Sequence, residues 1–235
     1  MPIREWFWTA YLVATHTPGL SAKQLQRQLG CSYKTAWYML HRLRRAMVNQ
    51  ARSPLRGMVE ADETIVGGPV EGLAGRGVMA AETKTLVLGA VEVLGWQDAD
   101  GCWRERAGRL RLAPAARADE ESIGRFLADN IEAGTTIKTD GWRGYSQTAL
   151  SAYRHELAPG QMARHIHRTF GNLKTWLAGT HHGVDQKYLA HYLDEYVFRF
   201  NRRTTPMAAF QTLLGLTSAR QPLGYRALIS PVLTG

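Results

Sequence analysis

Cysteine is scarce in this sequence: Cys31 and Cys102 are the only two among 235 residues. Two are too few for a disulfide framework or a four-cysteine zinc site. Long apolar runs are also missing. The longest are about ten residues, half of the ~20 that a membrane-spanning helix needs. Residues 1–16 lack a basic start, an unbroken apolar stretch and a small-residue cleavage site, which argues against a secretory signal. Unpaired thiols without an export signal predict a cytosolic protein. Internal repeats and low-complexity tracts are absent, and the 45% apolar content excludes wholesale disorder.

Acidic residues are few at both ends. Residues 1–57 hold nine Lys/Arg against Glu5 alone, and residues 161–235 hold nine against three acids. Residues 58–160 reverse the balance, with eleven Lys/Arg and sixteen acids. The net charge is +9. A basic head and a basic tail around a carboxylate-bearing middle suggest a polyanion gripped at two ends, although basic faces are often only solvated surface.

The head reads as helical. Residues 4–15 carry Trp, Tyr, Leu, Val and Ala without a breaker and predict a mostly buried helix that stops before Pro18-Gly19. Ser21 can cap a helix over 22–29, with Leu25 and Leu29 on one face. Gly30 suits the left-handed exit, and Ser32 caps a helix from 33 to about 48 whose inward residues are Ala36, Met39, Leu40 and Leu43. Helix, short glycine-containing turn, helix is the pattern of a DNA-binding helix-turn-helix. Ser32, Tyr33, Lys34, Thr35 and Trp37 would then enter the major groove, with Arg42, Arg44 and Arg45 meeting phosphates. The plainer alternative is a helical hairpin that only packs on a neighbouring domain.

After a Pro- and Gly-containing linker at 51–57, strands are expected at 58–66, 85–94 and 103–112, with turns at Gly67-Gly68 and 98–101 and a glycine-punctuated loop at 72–77. A helix follows at 118–131, a strand at 135–139, a short helix at 145–152 and a strand at 153–157. Helices close the pattern at 163–178, 186–201 and 206–215. This order predicts an α/β fold with a mixed sheet.

Two aspartates stand out. Asp62 lies inside one expected strand and Asp140 ends another. Each alone reads as a turn or edge residue, and a carboxylate in an apolar strand is costly unless it is paired or binds a cation. Side by side they would hold a hard cation through oxygen, and two such ions clamp the attacking and leaving oxygens of a phosphodiester displacement. His167, Asn172 and Glu195 are candidates to complete the site. Residues seven apart on a helix differ by about 700°, so His167 shares a face with Lys174 while Asn172 points away. His167 with Lys174 is therefore the better pair, against the plainer reading of two helix-surface residues. Glu60 and Glu63 flank Asp62, and strand alternation makes neither the first choice. His155 reads as an ordinary strand residue, and His181 and His182 as loop or DNA contacts.

The runs VEADETIVGG (59–68), KTDGWRGY (138–145), NLKTWLAGTHHG (172–183) and KYLAHYLDEYVFRFNRR (187–203) resemble bacterial insertion-sequence transposases with an ISXO-type derived DDE catalytic domain on a ribonuclease-H-like fold. Residues 21–47 resemble that family's helix-turn-helix. The resemblance implies a helix-turn-helix over 1–50, a linker at 51–57, a catalytic domain over 58–215 with a mixed sheet and C-terminal helices, and a tail at 216–235. It implies that Asp62 and Asp140 are metal-binding carboxylates for two Mg²⁺ or Mn²⁺ ions. It also places the family's third position, a Glu or Asn seven residues before a lysine, on His167 before Lys174. Histidine suits manganese better than magnesium. Relatives often carry a cysteine-rich zinc ribbon ahead of the helix-turn-helix, and this sequence starts without one, as a shortened copy or one begun at a late start codon would.

The implied activity is metal-dependent cleavage at element ends followed by transfer of the freed 3′-hydroxyl to target DNA. Lys174 would sit by a phosphate, and Arg199, Arg202 and Arg203 would hold the DNA backbone. A homodimer or larger assembly on DNA, cytoplasmic and nucleoid-associated with no membrane partner, goes with that activity. The other readings are a catalytically impaired DNA-binding remnant or regulator, and a metal-dependent nuclease without strand transfer.

Overall fold

In the computed structural model, residues 1–48, 51–67, 84–158, 163–218, 224 and 228–229 are described. The turn residue Gly68, the loop expected at 72–77 and most of the tail expected at 216–235 lie outside them. The elements run α1 (Ile3–Thr15), α2 (Ala22–Leu29), α3 (Tyr33–Ala46), β1 (Met58–Val66), β2 (Thr85–Gln97), β3 (Trp103–Ala115), α4 (Glu120–Asn130), β4 (Thr136–Thr139), β5 (Arg154–Leu157) and α5 (Arg164–His181). A 3-10 turn at Gln186–Tyr188, α6 (Leu189–Phe200) and α7 (Pro206–Ser218) complete them. The chain divides into two compact units. One joins Met1–Ala51 to the segment from Thr175 onward, and the other is Arg52–Lys174.

The helical unit is set by its caps. The Ser21 hydroxyl accepts from the Gln24 amide, and the Gln24 side chain accepts from the Ser21 amide, so two orphan donors of α2 are satisfied reciprocally. Gly30 leaves α2 at φ +61°, and Ser32 caps α3 through the Thr35 amide at 3.1 Å. Ala36, Met39, Leu40 and Leu43 are all buried, as their spacing predicts. Their core also takes in Phe198 of α6 and Ala209 and Leu213 of α7. The last two helices, expected within a catalytic region ending at residue 215, therefore cluster with the N-terminal helices. The apolar face of α1 is wider than α2 and α3 alone, and α7 lies along it. The opposite face of α1 stays in water, with Phe7 and Trp8 about half exposed, so this helix is less buried than its composition suggests.

The α/β unit is a five-stranded mixed sheet in the order β3-β2-β1-β4-β5. β1, β2 and β3 pair antiparallel, while β4 is parallel to β1 and β5 to β4. This is the mixed-sheet α/β architecture expected. Val59, Ala61, Leu88, Ala90 and Ile137 face Ile123, Phe126 and Leu127 of α4 in one core. Each fully buried aliphatic or aromatic side chain there contributes about 1.5–3 kcal/mol. Asp119 caps α4 through the Ser122 amide at 2.9 Å. On the other face the first turns of α5 lie close to the sheet at Gly89, where an added Cβ would stand 2.7 Å from the Phe170 ring.

One expected element does not form. The helix read at 145–152 is a series of turns, because the Ser146 hydroxyl accepts from Ala149 N and the backbone bonds from Ser151 and Tyr153 span three residues rather than four.

Candidate active site

β1 and β4 run parallel in a register that sets Val59 against Ile137 and Glu60 against Lys138. Asp62 lies two residues beyond the last of these pairs on β1, Asp140 directly follows β4, and the two carboxylates are near enough for the charge of Asp140 to act on Asp62. Asp62 is 8% exposed. Burial pushes its carboxyl above the ordinary range and the nearby Asp140 adds to that push, while the Glu63 amide and His167 oppose it. Its Oδ1 accepts from the Glu63 amide at 2.8 Å, and its Oδ2 lies 3.0 Å from His167 Nε2. Asp140 is exposed, and its Oδ1 accepts from the Trp142 amide at 2.9 Å. The turn that presents it is tied from behind. The buried Thr139 hydroxyl lies 2.9 Å from His155 Nε2 and accepts from the Gly141 amide.

The helix that carries His167 is anchored by a residue outside the expected set. Glu60 shares the Asp62 face of β1, two residues earlier, and is 3% exposed. Its Oε2 accepts from the His165 and Ile166 amides at 2.8 and 2.9 Å, capping the first turn of α5. Glu63, on the opposite face, is the second residue that sequence reasoning set aside. Burial, then Asp62 and Asp140, raise its carboxyl to about 7, and a hydrogen bond with Tyr145 opposes them. The Tyr145 hydroxyl is itself pushed well up by burial and by these three carboxylates. Alternation along β1 is the signal that separates the two glutamates: Glu60 goes with Asp62, and Glu63 with the α4 core.

Of the three candidates to complete the site, only His167 has a described bond to either aspartate. Asn172 is exposed on α5, as is Lys174 two turns beyond His167. Glu195 is 0% exposed and is paired with Arg44, whose Nε donates to its Oε2 at 2.7 Å. Among the described residues, no group of three or more His, Cys, Asp or Glu side chains could hold a metal ion as arranged. The donors themselves fit a hard divalent cation. Asp62 and Asp140 offer oxygens whose mutual repulsion a cation relieves, and an imidazole adds a donor that manganese accepts.

The residues expected on DNA divide sharply. Tyr33 and Lys34 are exposed at the start of α3, whereas Ser32 and Thr35 bond each other at 2.9 Å in the cap. Trp37 packs against His41 with ring centroids 3.9 Å apart and the planes tilted by 31°. Arg42 lies over Trp6 and Tyr38, and Arg45 is half-buried. Arg44, expected on a phosphate, is instead 1% exposed, paired with Glu195 and seated over Tyr192. Arg199 is likewise turned inward, donating to the His16 and Thr17 carbonyls. Arg202 is half-buried and donates to Phe198 O, and Arg203 is exposed and donates to Phe200 O. His181, read as a loop or DNA contact, is half-buried at the end of α5 beside Trp176 and Tyr192. Among the described residues, no helix is long and apolar enough to cross a membrane.

Residues 54–201 match the family model of the ISXO2-like transposase domain, well over half of the chain. An uncharacterized protein in transposable element ISH50 of Halobacterium salinarum is 29% identical over 150 residues, which cover 61% of this chain and 48% of that protein. The chain thus spans about half the length of that curated relative. A solved Mos1 transposase paired-end complex with left transposon end aligns with 86% of this chain and 75% of that one, at 13% identity and a TM-score of 0.28.

Proposed function

Because the chain belongs to the ISXO2-like transposase domain family, we propose that it is an insertion-sequence transposase that cleaves DNA at the ends of its element and joins them to a target. The observation that supports this reading is the approach of Asp140, at the end of β4, to Asp62 of the neighbouring β1, with His167 bonded to Asp62. Asp62 and Asp140, with His167, would hold divalent metal, Mg²⁺ or Mn²⁺, which when bound supplies Lewis acidity toward a phosphodiester and lowers the pKa of a water. Glu60 holds the helix that presents His167. Lys174, on the same helix face, sits as a point charge beside a phosphate.

In the first reaction water attacks phosphorus and the P–O3′ bond breaks, leaving a 5′-phosphate and a free 3′-hydroxyl. In the second that hydroxyl attacks a target phosphodiester, forming one P–O bond and breaking another. No covalent enzyme intermediate is needed. Tyr33 and Lys34, at the exposed start of α3, are the residues for the major groove in a helix-turn-helix reading of α2 and α3. Joining two ends calls for at least two copies on DNA.

One observation favours a second reading. The Asp62 oxygen that would face a cation is engaged by an imidazole where relatives are expected to carry a carboxylate or amide, and this suits an impaired, DNA-binding remnant. A cleavage-and-joining assay on DNA spanning the element's own ends separates the readings. The proposal expects nicked and joined products with divalent metal from wild type and neither from Asp140→Asn. DNA that is bound but uncut by wild type means the remnant, and cutting without joining means a nuclease.

A further inference from the structure

Trp142 is 49% exposed, two residues past Asp140. A large aromatic left in water beside a carboxylate is unusual when it is also held still. Its backbone amide donates to Asp140 Oδ1 at 2.9 Å, and its indole N–H donates to the Ala118 carbonyl at 3.3 Å. The loop beneath it has no slack. An added Cβ on Gly144 would lie 2.5 Å from Ile123 Cδ1, 2.8 Å from Ala118 O and 3.3 Å from Trp142 Cδ1. Gly141 turns the chain at φ +84°, where its own Cβ would meet Leu157 Cδ2 at 3.0 Å. Leu157 is itself 67% exposed, and Arg143, the residue after Trp142, is exposed.

The ring therefore has its polar edge satisfied inward, its rotamer restrained and part of its apolar surface open, with an exposed leucine near the preceding glycine and an exposed arginine next in the chain. Such a surface accepts a flat apolar ligand carrying a phosphate. We propose that Trp142 is a stacking platform for one unpaired nucleobase of the DNA substrate, with Leu157 bordering it and Arg143 on the adjacent phosphate. The platform would hold the strand open next to Asp140. This inference rests on the reading of the chain as a DNA-cleaving transposase. It adds a requirement that the catalytic carboxylates do not impose, namely that the duplex is locally unpaired where it is cut.

Two measurements on the full chain test it. The first is the affinity for a fluorescently labelled twelve-nucleotide thymidine single strand, read by anisotropy without cleavage. Trp142→Ala should weaken binding about tenfold, the order that one stacked base contributes. Trp142→Phe, which keeps a π-face, should stay within about threefold of wild type under the same reasoning. The second is the cleavage rate on element-end duplex, intact or carrying a short mismatched bubble at the nick. Trp142→Ala should be slow on the intact duplex and recover on the bubble. Equal single-strand affinity for wild type and Trp142→Ala, or equal impairment on both duplexes, overturns the platform. A wild type that binds the single strand through Trp142 but nicks nothing retires the catalytic reading and leaves the platform standing.

Discussion

Replacing Glu60 by alanine should damage the site without touching either aspartate. Glu60 is 3% exposed, and one of its oxygens takes the amides of both His165 and Ile166. These are first-turn donors of α5, which have no intrahelical partner. Each charge-assisted bond contributes about 1.5–3 kcal/mol, and alanine leaves both donors buried and unmet. The expected loss is about 3–5 kcal/mol for Glu60→Ala, reduced to about 1–2 kcal/mol for Glu60→Gln, which keeps an acceptor but not the charge. For a unit of this size the alanine variant should melt about 10–20 °C lower. Calorimetry or circular dichroism measures this, and amide exchange at Ile166 locates it. His167 lies one residue further along the same turn, so its bond to Asp62 should loosen as well. An alanine variant whose stability stays within about 1 kcal/mol of wild type would refute the capping argument.

Other parts of the molecule give further expectations. Glu195→Ala strands the buried Arg44 and should cost about 3–5 kcal/mol, whereas an Arg44→Met, Glu195→Leu double variant should recover much of that; chemical denaturation of the three proteins decides. The helical unit should also be acid-labile. Burial holds His41 down at about 2 and His181 and His191 at about 4, with Arg44 adding to the push on each. Such groups stabilise the fold fully above their unfolded pKa of 6.5 and progressively less as pH falls from there toward 4, each by up to about 1.4 kcal/mol per pH unit. Helical melting temperatures at pH 7, 5.5 and 4.5 should fall in that order, and a flat series counts against burial as the cause. Gly89→Ala should shift or destabilise the first turns of α5, because the Phe170 ring occupies the space of the new methyl; an unchanged melting curve would show that the ring can yield.

Local signals carried most of the elements. Ser21 with Gln24, Gly30 and Ser32 mark the edges of α2 and α3, and β-branched alternation marks β1 and β2. The approach of Asp140 to Asp62 was also within reach, because Asp62 lies in one recognisable strand and Asp140 directly follows another. What stayed hidden depends on residues distant in the chain. Arg44 and Glu195 are 151 positions apart, so nothing near Arg44 distinguishes a phosphate contact from a buried ion pair. Arg199 is turned inward by the His16 and Thr17 carbonyls, which no helical pattern announces. The role of Glu60 depends on the start of α5, which supplies its two donors. The turns at 145–152 have helical composition, and serine hydroxyls competing for the backbone tip the balance there. The match of residues 54–201 to the ISXO2-like transposase domain bears out the resemblance carried by the four sequence runs.

The central claim is that Asp62, Asp140 and His167 form one metal-dependent cleavage centre. The most direct test is the nicking rate on element-end DNA, titrated with Mg²⁺ and separately with Mn²⁺, for wild type, Asp62→Asn, Asp140→Asn and His167→Glu. The account predicts wild-type nicking that Mn²⁺ supports better than Mg²⁺, none from either asparagine variant, and a shift toward Mg²⁺ in His167→Glu. Nicking that persists in Asp62→Asn and Asp140→Asn, or a metal preference indifferent to residue 167, would contradict it.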